Sequence, residues 1–332
     1  MWRRWAKIWL GRNKRLWRRL PARMRQLAAM RAYGEQLHAL ARAYADRRQS
    51  FGTYFLRNRA ELGVLRRLLE RKPPGSDLKI TVLACSKGAE VYSFLWTIRS
   101  ARPDMKVFAH AVDISPDILA FARQGVYSLN TINATKPHEG AITEEEALTR
   151  RTCEDQPAEN PSMFERLEEG ELDAIFDREG ARVSVKAWVR AGIEWHAGDA
   201  GDAELIHVLG AQDIVVANRF LCHMEPAAAE RCLRNVAGLV KPGGYLFVSG
   251  VDLDVRTKVA RALGWTPVTE LIREVHDGDV SLRNGWPFEW WGLEPFQETR
   301  PDWKIRYASV FQIGEDAKLK RDAATQVLAS SR

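Results

Sequence analysis

The stretch that decides the fold reads Val82-Leu83-Ala84-Cys85-Ser86-Lys87-Gly88-Ala89-Glu90-Val91-Tyr92-Ser93. It contains an apolar strand, a short turn with one glycine, and the beginning of an amphipathic helix. About twenty residues later, the stretch from Val107 to Asp113 is a second apolar strand that ends in a carboxylate. In a doubly wound α/β sheet, the turn after the first strand faces the cofactor, and an acidic residue after the second strand binds a ribose diol. The two stretches therefore predict a site for a cofactor that contains a nucleoside.

Strands and helices alternate along most of the chain from residue 78 onwards. We predict strands at 78–85, 106–113, 192–196, 213–217 and 245–250, with a tight turn at Lys241-Pro242-Gly243-Gly244 and two further strands near 267–275 and 305–313. We predict helices at 89–101, 116–124, 201–210, 226–240 and 254–263. Alternating elements imply a parallel sheet with helices on both faces. The sequence therefore predicts an α/β fold with a Rossmann-like sheet.

A break at Lys72-Pro73-Pro74-Gly75-Ser76 separates this alternating region from helices predicted at 2–20, 22–46 and 57–71. We place the main domain boundary at this break. The predicted segments are a basic amphipathic helical segment at 1–34, a helical N-terminal subdomain at 35–77, a Rossmann-like domain at 78–314 with a polar insertion at 128–190, and a tail at 315–332.

The basic character of the chain is concentrated at its N-terminus. The first 34 residues carry eleven lysines and arginines and no acidic residue, whereas the whole chain has a net charge of +7, so residues 35–332 sum to −4. On the helix predicted at 2–20, the apolar side chains share one face and arginines cover the rest. The residues of this face are Trp2, Trp5, Trp9, Leu16 and Leu20.

Three partners suit such a helix. Tryptophan with arginine fits the headgroup layer of an anionic membrane, and the same charges could bind the phosphates of nucleic acid. They could also dock on an acidic protein partner or on the acidic body of the chain itself. We favour the membrane over nucleic acid, because no base-reading motif accompanies the charges.

Composition also excludes several classes of protein. No run of 18 apolar residues exists, so we expect no helix that spans a bilayer. The N-terminus is too densely charged for a secretory signal. The scattered cysteines fit reduced thiols in a cytoplasm and argue against a disulfide framework or a structural zinc site; they are Cys85, Cys153, Cys222 and Cys232. We therefore expect a cytoplasmic protein, membrane-associated if the N-terminal helix binds lipid, and no metal.

The turn after the first strand limits the type of cofactor. Gly88 suits a sharp turn from strand into helix that lets a cofactor approach closely, but no GxGxxG accompanies it, so no pyrophosphate cradle is indicated. S-adenosylmethionine fits this pattern because it contains an adenosine and an amino acid but no phosphate. Glu90 either meets the cofactor's ammonium group or stabilises the dipole of its own helix.

Two further carboxylates follow predicted strands. Asp113 is the candidate for the ribose hydroxyls, because Ser115, followed by Pro116, is the better N-cap of the next helix. Asp199 follows the third strand of the alternating region. It either reaches the adenine amino group or caps the helix after it.

Polar residues also follow the strand predicted at 213–217, where side chains point into the crevice of such sheets. Asn218 is predicted to contact the amino-acid part of the cofactor or the methyl acceptor. Arg219 and His223 are candidates to orient an anionic acceptor, although a lone histidine beside a helix start is more often structural.

Taken together, these residues resemble the CheR family of chemotaxis methyltransferases over roughly residues 50–252. Several motifs occur in the family's order. Thr53-Tyr54-Phe55-Leu56-Arg57 is similar to the family's T-x-F-F-R, and residues 84–93 are similar to its A-x-S-T-G-E-E-P-Y-S. Asp113-Ile114, together with residues 119–127, is similar to D-I-x(4)-L-x-x-A-R-x-G-x-Y. Residues 183–186 are similar to Y-R-V-K, and residues 213–224 are similar to D-x-I-x-C-R-N-x-x-I-Y-F.

The resemblance implies a Rossmann-like class I methyltransferase sheet with an N-terminal helical region. It also implies methylation of receptor glutamates with S-adenosylmethionine as cofactor. The candidate cofactor-binding residues are Thr53, Cys85, Gly88, Glu90, Asp113, Asp199 and Asn218, and the candidate catalytic residues are Arg57, Arg219 and His223.

Three departures from the family's motifs bear on the substrate. Ala89 replaces the first glutamate of a pair, Asn218-Arg219 reverses the family's Arg-Asn order, and His223 stands where the family has a tyrosine beside the acceptor. Cofactor binding therefore carries over better than the receptor substrate does.

The acceptor decides which residues the reaction needs. A carboxylate is already ionised at neutral pH and needs no general base, so Arg57 and Arg219 would position it and His223 would flank it. If the acceptor is an amine or a hydroxyl, His223 becomes a possible base. The tryptophans of the stretch Trp286-Pro287-Phe288-Glu289-Trp290-Trp291 either line the acceptor pocket or pack in the core.

Two other functions remain open at this stage. One is a degenerate methyltransferase fold that binds the cofactor or a protein partner without turnover, which the departures at Ala89 and His223 suggest. The other is a nicotinamide oxidoreductase on the same sheet, which the absence of GxGxxG disfavours.

Overall fold

A seven-stranded sheet forms the centre of the structure, a computed structural model that describes residues 2–45, 47, 51–129 and 162–314. Its strands, numbered along the chain, are β1 (Asp77–Leu83), β2 (Lys106–Asp113), β6 (Ile193–Ala197), β7 (Gln212–Val216), β8 (Val240–Phe247), β9 (Thr266–Pro267) and β10 (Val310–Gln312). They lie in the order β6-β2-β1-β7-β8-β10-β9. The pairs from β6 to β8 are parallel, and β10 runs antiparallel to both of its neighbours. This topology is a Rossmann-like sheet, so the predicted α/β fold is confirmed.

Helices cover both faces of this sheet and form the N-terminal region. They span Trp2–Arg19, Ala22–Arg25, Ala28–Ala43, Arg59–Glu70, Ala89–Ala101, Pro116–Gln124, Glu169–Ile175, Ala187–Arg190, Leu205–Leu209, Pro226–Gly238, Leu253–Leu263, Ile272–Gly278, Val280–Gly285 and Trp303–Tyr307, with a 3-10 turn at Leu221–His223. One buried apolar cluster lies on each side of the sheet, represented by Ile80 and Val82 on one side and by Leu83 and Val112 on the other. None of the described helices combines the length and the apolar character needed to cross a bilayer.

A second, antiparallel sheet has two of its strands within the region predicted as an insertion and one at the start of that region. It contains β3 (Val126–Ser128), β4 (Phe176–Glu179) and β5 (Arg182–Val185), in the order β3-β5-β4. The ring of Phe55 packs against it, with centroid distances of 5.5 Å to Tyr127 and 4.9 Å to Phe176. These aromatic contacts hold the segment that carries Thr53 and Arg57 beside the main sheet.

The N-terminal helix docks on the rest of the chain through Trp17. This side chain is 5% exposed and meets Trp286 edge to face at 5.5 Å. Gly34 permits the contact, because a Cβ atom there would lie 2.2 Å from the Trp286 ring. On the predicted apolar face, Trp9 and Leu16 are exposed. The helix therefore docks through the face that carries Trp17 and not through the predicted apolar face that carries Trp9 and Leu16.

Three predictions of secondary structure were wrong in part. The turn predicted at 241–244 belongs to β8, which begins at Val240 and accommodates the glycines with a register shift opposite β7. The strand predicted near 267–275 ends at Pro267, because Leu271 adopts a left-handed conformation that begins the helix Ile272–Gly278. The strand predicted at 305–313 is reduced to Val310–Gln312, because residues 303–307 are helical.

The predicted domain boundaries after residues 34, 77 and 314 stay predictions. Of the predicted insertion, residues 130–161 lie outside the described residues, as does the predicted tail at 315–332. The break at residues 72–76 is a loop between the helix Arg59–Glu70 and β1.

Candidate functional site

A cavity of about 300 Å³ opens beside the carboxyl ends of β1, β2 and β7. In the sheet β1 lies between β2 and β7, so the strand order reverses its direction at β1. The cavity therefore lies at a topological switch point of the sheet, where ligands of such folds bind. Nine of the ten predicted site residues line it: Thr53, Arg57, Cys85, Glu90, Asp113, Asp199, Asn218, Arg219 and His223.

Gly88 is the exception. It adopts a left-handed conformation, with a φ angle of 85°, at the start of the helix Ala89–Ala101. A Cβ atom on it would lie 3.0 Å from the Tyr92 ring and 3.2 Å from Cβ of Ala122. The glycine therefore serves the turn and its packing against these neighbours and does not line the cavity, and its contact with the cofactor stays a prediction. Ala89 is fully buried and does not line the cavity either.

The backbone around the cavity is strained at three residues other than glycine. Ala84, Ser86 and Arg219 have φ angles of 49°, 50° and 66°. Each such conformation costs about 1–3 kcal/mol and persists only where the surrounding structure holds it. Residues with this strain concentrate at ligand-binding and catalytic sites, and all three residues belong to the cavity wall.

Asp113 ends β2 and is held by backbone amides. Its Oδ2 accepts a hydrogen bond of 2.8 Å from the amide of Ser86, and its Oδ1 accepts one of 3.0 Å from the amide of Ser115. Ser115 caps the next helix with its own hydroxyl, as the sequence predicted. Burial raises the pKa of Asp113, and the backbone hydrogen bonds oppose this rise. A carboxylate accepts about four hydrogen bonds, so Asp113 keeps capacity for two hydroxyl donors.

Asn218 connects the buried carboxyl group of Glu61 to the half-buried carboxyl group of Glu90. Its Nδ2 donates to Oε1 of Glu90 at 2.9 Å and to Oε2 of Glu61 at 3.0 Å, and its Oδ1 accepts from the amide of Ser249 at 2.8 Å. Burial, together with the negative charge of Glu90, raises the pKa of Glu61 to about 8. Burial also raises the pKa of Glu90, although Arg57 and Asn218 oppose this rise. At neutral pH the Glu61 carboxyl group is therefore mainly protonated and uncharged. Glu90 is the carboxyl group of the pair that lines the cavity.

A buried aspartate neutralises the arginines of the site. Carboxylate oxygens of Asp279 lie 3.9 Å from Nη1 of Arg57, 3.9 Å from Nε of Arg219 and 3.3 Å from Nη2 of Arg166. Burial alone would raise the pKa of Asp279, but these three arginines outweigh it and hold this pKa well below its usual range. Arg57 and Arg166 also flank the ring of Tyr54, at 5.0 and 4.4 Å from its centroid.

Arg219, a residue of the cavity wall, has one buried donor that is unused. Its Nη1 atom is buried and has no hydrogen-bond partner among the described residues. A third arginine of the wall, Arg47, is satisfied, because it donates to the carbonyls of Cys222 and Met224 and to Asp252. A buried donor without an acceptor costs about 1–3 kcal/mol, and an anionic ligand beside Arg219 would remove that cost.

The other predicted residues contribute to the walls in different ways. Burial raises the pKa of the Cys85 thiol well above its usual range, so this cysteine is not a thiolate nucleophile. Asp199 is exposed and accepts a hydrogen bond of 2.8 Å from the amide of Gly201, so it both caps a turn and lines the cavity. The ring of His223 lies edge to face with Trp290, at 6.3 Å between centroids.

Trp290 and Trp291 line a second cavity of about 50 Å³, which shares Arg57 with the larger one and also contacts Glu61. Trp286 instead packs against Trp17. The tryptophans of this stretch therefore divide between a polar cavity next to the site and the docking face of the N-terminal helix.

Sequence reasoning missed four residues of the site. Glu61 carried a signal, because it occupies the apolar face of its helix beside Leu62 and Leu65, where a carboxylate is unexpected. Ile114 follows Asp113 and lines the cavity while 57% exposed. Arg47 lies just before the motif at residues 53–57 but carried no signal of its own. Asp279 lies far beyond the last motif in sequence, and only the fold brings it to the site.

Comparison with known proteins supports the resemblance seen in the sequence. Residues 52–151 match the family model described as CheR methyltransferase, SAM binding domain. A probable chemotaxis protein methyltransferase of Rhizobium etli is 38% identical over 79 residues, which is 22% of this chain and 29% of the relative. The match thus spans about three tenths of the length of that relative.

Solved structures of low sequence identity include methyltransferases. An O-methyltransferase family protein from Burkholderia thailandensis has a TM-score of 0.35 at 13% identity, with 88% of this chain and 62% of that chain covered. The magnesium protoporphyrin IX methyltransferase of Synechocystis has a TM-score of 0.32 at 12% identity, with 63% of this chain and 69% of that chain covered.

Proposed function

We propose that this chain, whose residues 52–151 match the model of the CheR methyltransferase SAM-binding domain, transfers a methyl group from S-adenosylmethionine to a carboxylate of a protein substrate. S-adenosylmethionine is the cofactor of this domain. The carboxylate and the protein substrate are our inference from the cations around the cavity.

The residues of the cavity fit the cofactor. Asp113 has capacity for the two ribose hydroxyls, and Ile114 offers an apolar surface at the cavity mouth for the adenine. Glu90 presents a carboxylate to the cofactor's ammonium group, and Asn218 holds that carboxylate in place. Thr53, Cys85 and Asp199 complete the walls. The volume of about 300 Å³ is at the lower end of the range for small-molecule sites.

The chain's own residues would mainly orient the acceptor. When bound, S-adenosylmethionine supplies an electrophilic methyl group on a sulfonium. An acceptor carboxylate is ionised at neutral pH, so no residue of this site has to remove a proton. Arg57 and Arg219 would hold the carboxylate in line, and such positioning supplies much of the rate enhancement in reactions of this type. His223, at the cavity wall, would flank the acceptor.

The observation that carries this proposal is the unused Nη1 donor of Arg219, which is shielded from solvent and would meet a ligand after a change of the Arg219 rotamer. Its Nε faces Asp279, so one edge of the guanidinium is neutralised inside the protein while Nη1 has no acceptor among the described atoms. Arginine binds carboxylates through two parallel hydrogen bonds. A substrate carboxylate would supply the missing acceptor, whereas an amine would place a second donor there.

Labelled cofactor provides the test of function. Purified protein is incubated with methyl-labelled S-adenosylmethionine and an extract of the source cells, and the proteins are then treated with mild base. We expect protein-bound label that base releases as volatile methanol, because carboxyl methyl esters hydrolyse readily. Base-stable label would instead point to an amine acceptor. Binding without any turnover would support the degenerate, non-catalytic alternative.

We propose further that the N-terminal helix brings the enzyme to an anionic membrane surface. Trp9 and Leu16 are 43% and 61% exposed, while Trp17 on another side anchors the helix to the body. Exposed aromatic and aliphatic side chains among arginines suit a lipid headgroup layer. Nucleic acid and an acidic protein remain the alternatives that a vesicle-binding experiment separates from this proposal.

A further inference from the structure

A cluster of three potential metal ligands lies on the sheet, away from the cavity residues. The pairing of β2 with β6 places His110 opposite Glu194, and His196 follows Glu194 by two residues. Because side chains alternate between the faces of a strand, these three residues share one face. They form the group of three possible metal ligands found in the described part of the chain.

The ligand atoms already have nearly the spacing that a metal requires. Nδ1 of His110 lies 3.1 Å from Nε2 of His196, and Oε2 of Glu194 lies 3.5 and 3.8 Å from these two nitrogens. Zinc binds nitrogen and oxygen ligands at about 2.0–2.2 Å, so atoms around a tetrahedral ion lie roughly 3.3–3.5 Å apart. The three measured distances bracket that spacing. One ion could therefore contact all three atoms after shifts of a few tenths of an ångström.

Exposure of the side chains favours a site that is open to solvent. The imidazoles of His110 and His196 are 14% and 23% exposed, which fixes them against the sheet, whereas Glu194 is 69% exposed and can adjust. Two fixed imidazoles with one carboxylate leave a fourth position for water. This donor set suits zinc and its neighbours nickel and copper, and is a poor set for magnesium or calcium, which prefer oxygen ligands alone.

We propose that His110, Glu194 and His196 bind one divalent transition-metal ion of the zinc class. The site differs from the cysteine-based zinc sites that the sequence argues against. It would fasten the edge strand β6 to β2. The chain continues from β6 into residues 198–200, which line the larger cavity, and the amide of Gly198 donates to the carbonyl of Asp113 at 3.0 Å. Metal binding would therefore stabilise the edge of the sheet that carries one cavity wall.

Calorimetry with zinc chloride on the full chain tests the proposal. We expect one zinc ion per chain. Binding should be at least about tenfold weaker in His196→Gln and His110→Ala, since each change removes a ligand. His207→Gln is the matched control, because His207 lies 3.7 Å from Glu204 but has no second histidine beside it in the described chain. Unchanged affinity in His196→Gln, or equal losses in the His207→Gln control, would overturn the site.

Cobalt substitution gives a second readout that does not depend on stability. Cobalt(II) in a tetrahedral nitrogen and oxygen site absorbs visible light strongly, whereas hydrated cobalt absorbs weakly. We expect this absorption in the wild-type chain and its loss in His196→Gln, with circular dichroism confirming that the variant is folded. A folded wild-type chain that shows only the hydrated cobalt spectrum would contradict the proposal.

Discussion

The side-chain amide of Asn218 donates a hydrogen bond of 2.9 Å to Glu90 and thereby joins the end of β7 to the first turn of the helix after β1. The same nitrogen donates to Glu61 at 3.0 Å. Glu61 is buried and Glu90 is half-buried at the cavity, so the amide stabilises a pair of carboxyl groups that would otherwise face each other without a donor. The order Asn218-Arg219, which departs from the CheR motif, thus places both an amide and a guanidinium at the cavity wall.

Replacing Asn218 with alanine should destabilise the fold. The change removes the donor that Glu61 and Glu90 share, and leaving the buried Glu61 unsatisfied costs about 1–3 kcal/mol. Urea denaturation at pH 7 measures the free energy of unfolding. Asn284→Ala is the control, since Asn284 is exposed on a short helix. Equal stability of the two variants would show that the shared hydrogen bonds contribute little.

Glu61 should make stability depend on pH. Because burial and Glu90 raise its pKa to about 8, the folded chain holds a proton on Glu61 that the unfolded chain releases near its ordinary pKa. The contribution of Glu61 to the free energy of unfolding is fully present below the pKa of an unfolded glutamate. It is lost as the pH rises through the pKa of Glu61 in the folded chain. Between about pH 5 and 8 the loss approaches about 1.4 kcal/mol per pH unit.

Comparison with Glu61→Gln isolates this contribution. The difference in unfolding free energy between wild type and Glu61→Gln should change over pH 5–8 in favour of the variant as pH rises. Glu70→Gln, an exposed change at the end of the same helix, should leave the pH profile of the wild type intact. Parallel profiles for wild type and Glu61→Gln would mean that Glu61 titrates normally.

Arg219→Gln should impair use of the acceptor more than binding of the cofactor. The variant loses the donor that is proposed to hold the substrate carboxylate, so kcat/KM for the acceptor should fall by roughly tenfold to a hundredfold, as for a lost charged hydrogen bond. Affinity for S-adenosylhomocysteine should change by less than about threefold. Arg219→Lys should be intermediate, because it keeps the charge and loses the planar fork.

Kinetics of the Arg219 variants would use the acceptor found by labelling, with Arg283→Gln as an exposed control. If affinity for the cofactor falls as much as kcat/KM does, Arg219 binds the cofactor and does not hold the acceptor. An unchanged kcat/KM would remove it from the reaction altogether.

The N-terminal helix should bind anionic vesicles through its exposed apolar side chains. Replacing both Trp9 and Leu16 with alanine should weaken binding to vesicles of equal parts phosphatidylserine and phosphatidylcholine by at least about tenfold, since each buried side chain contributes about 1.5–3 kcal/mol. Val208→Ala is the control, because Val208 is 64% exposed on the body. Sedimentation of both variants with vesicles to the same extent would exclude this surface.

Local signals predicted the first half of the sheet well. The helices Ala89–Ala101 and Pro116–Gln124 and the strand Lys106–Asp113 have the predicted bounds. Their ends are set by nearby residues, such as Ser115 and Pro116 at one helix start. Sequence failed at residues 241–244 and 272–278, where pairing with β7 and contacts with the rest of the fold override the local turn and strand signals.

The site was predictable where residues follow strands, because strand ends converge by topology. Asp113, Asn218 and Arg219 were found in this way. Asp279 was not, because it belongs to a segment more than fifty residues beyond the last motif and reaches the arginines only through the packing of the fold. Gly88 does not line the cavity, and sequence alone could not tell this because a left-handed turn and close approach of a ligand require the same residue type.

Isothermal titration of S-adenosylhomocysteine into wild type, Asp113→Asn and Asp117→Asn tests the central claim most directly. Asp113 ends β2 at the cavity, whereas Asp117 is exposed in the next helix. The claim predicts one binding site per chain in the wild type and unchanged affinity in Asp117→Asn. In Asp113→Asn the affinity should be at least about tenfold weaker, because hydrogen bonds to a charged group contribute about 1.5–3 kcal/mol. Absence of binding to the wild type, or equal affinity in all three proteins, would contradict the assignment of this cavity to the cofactor.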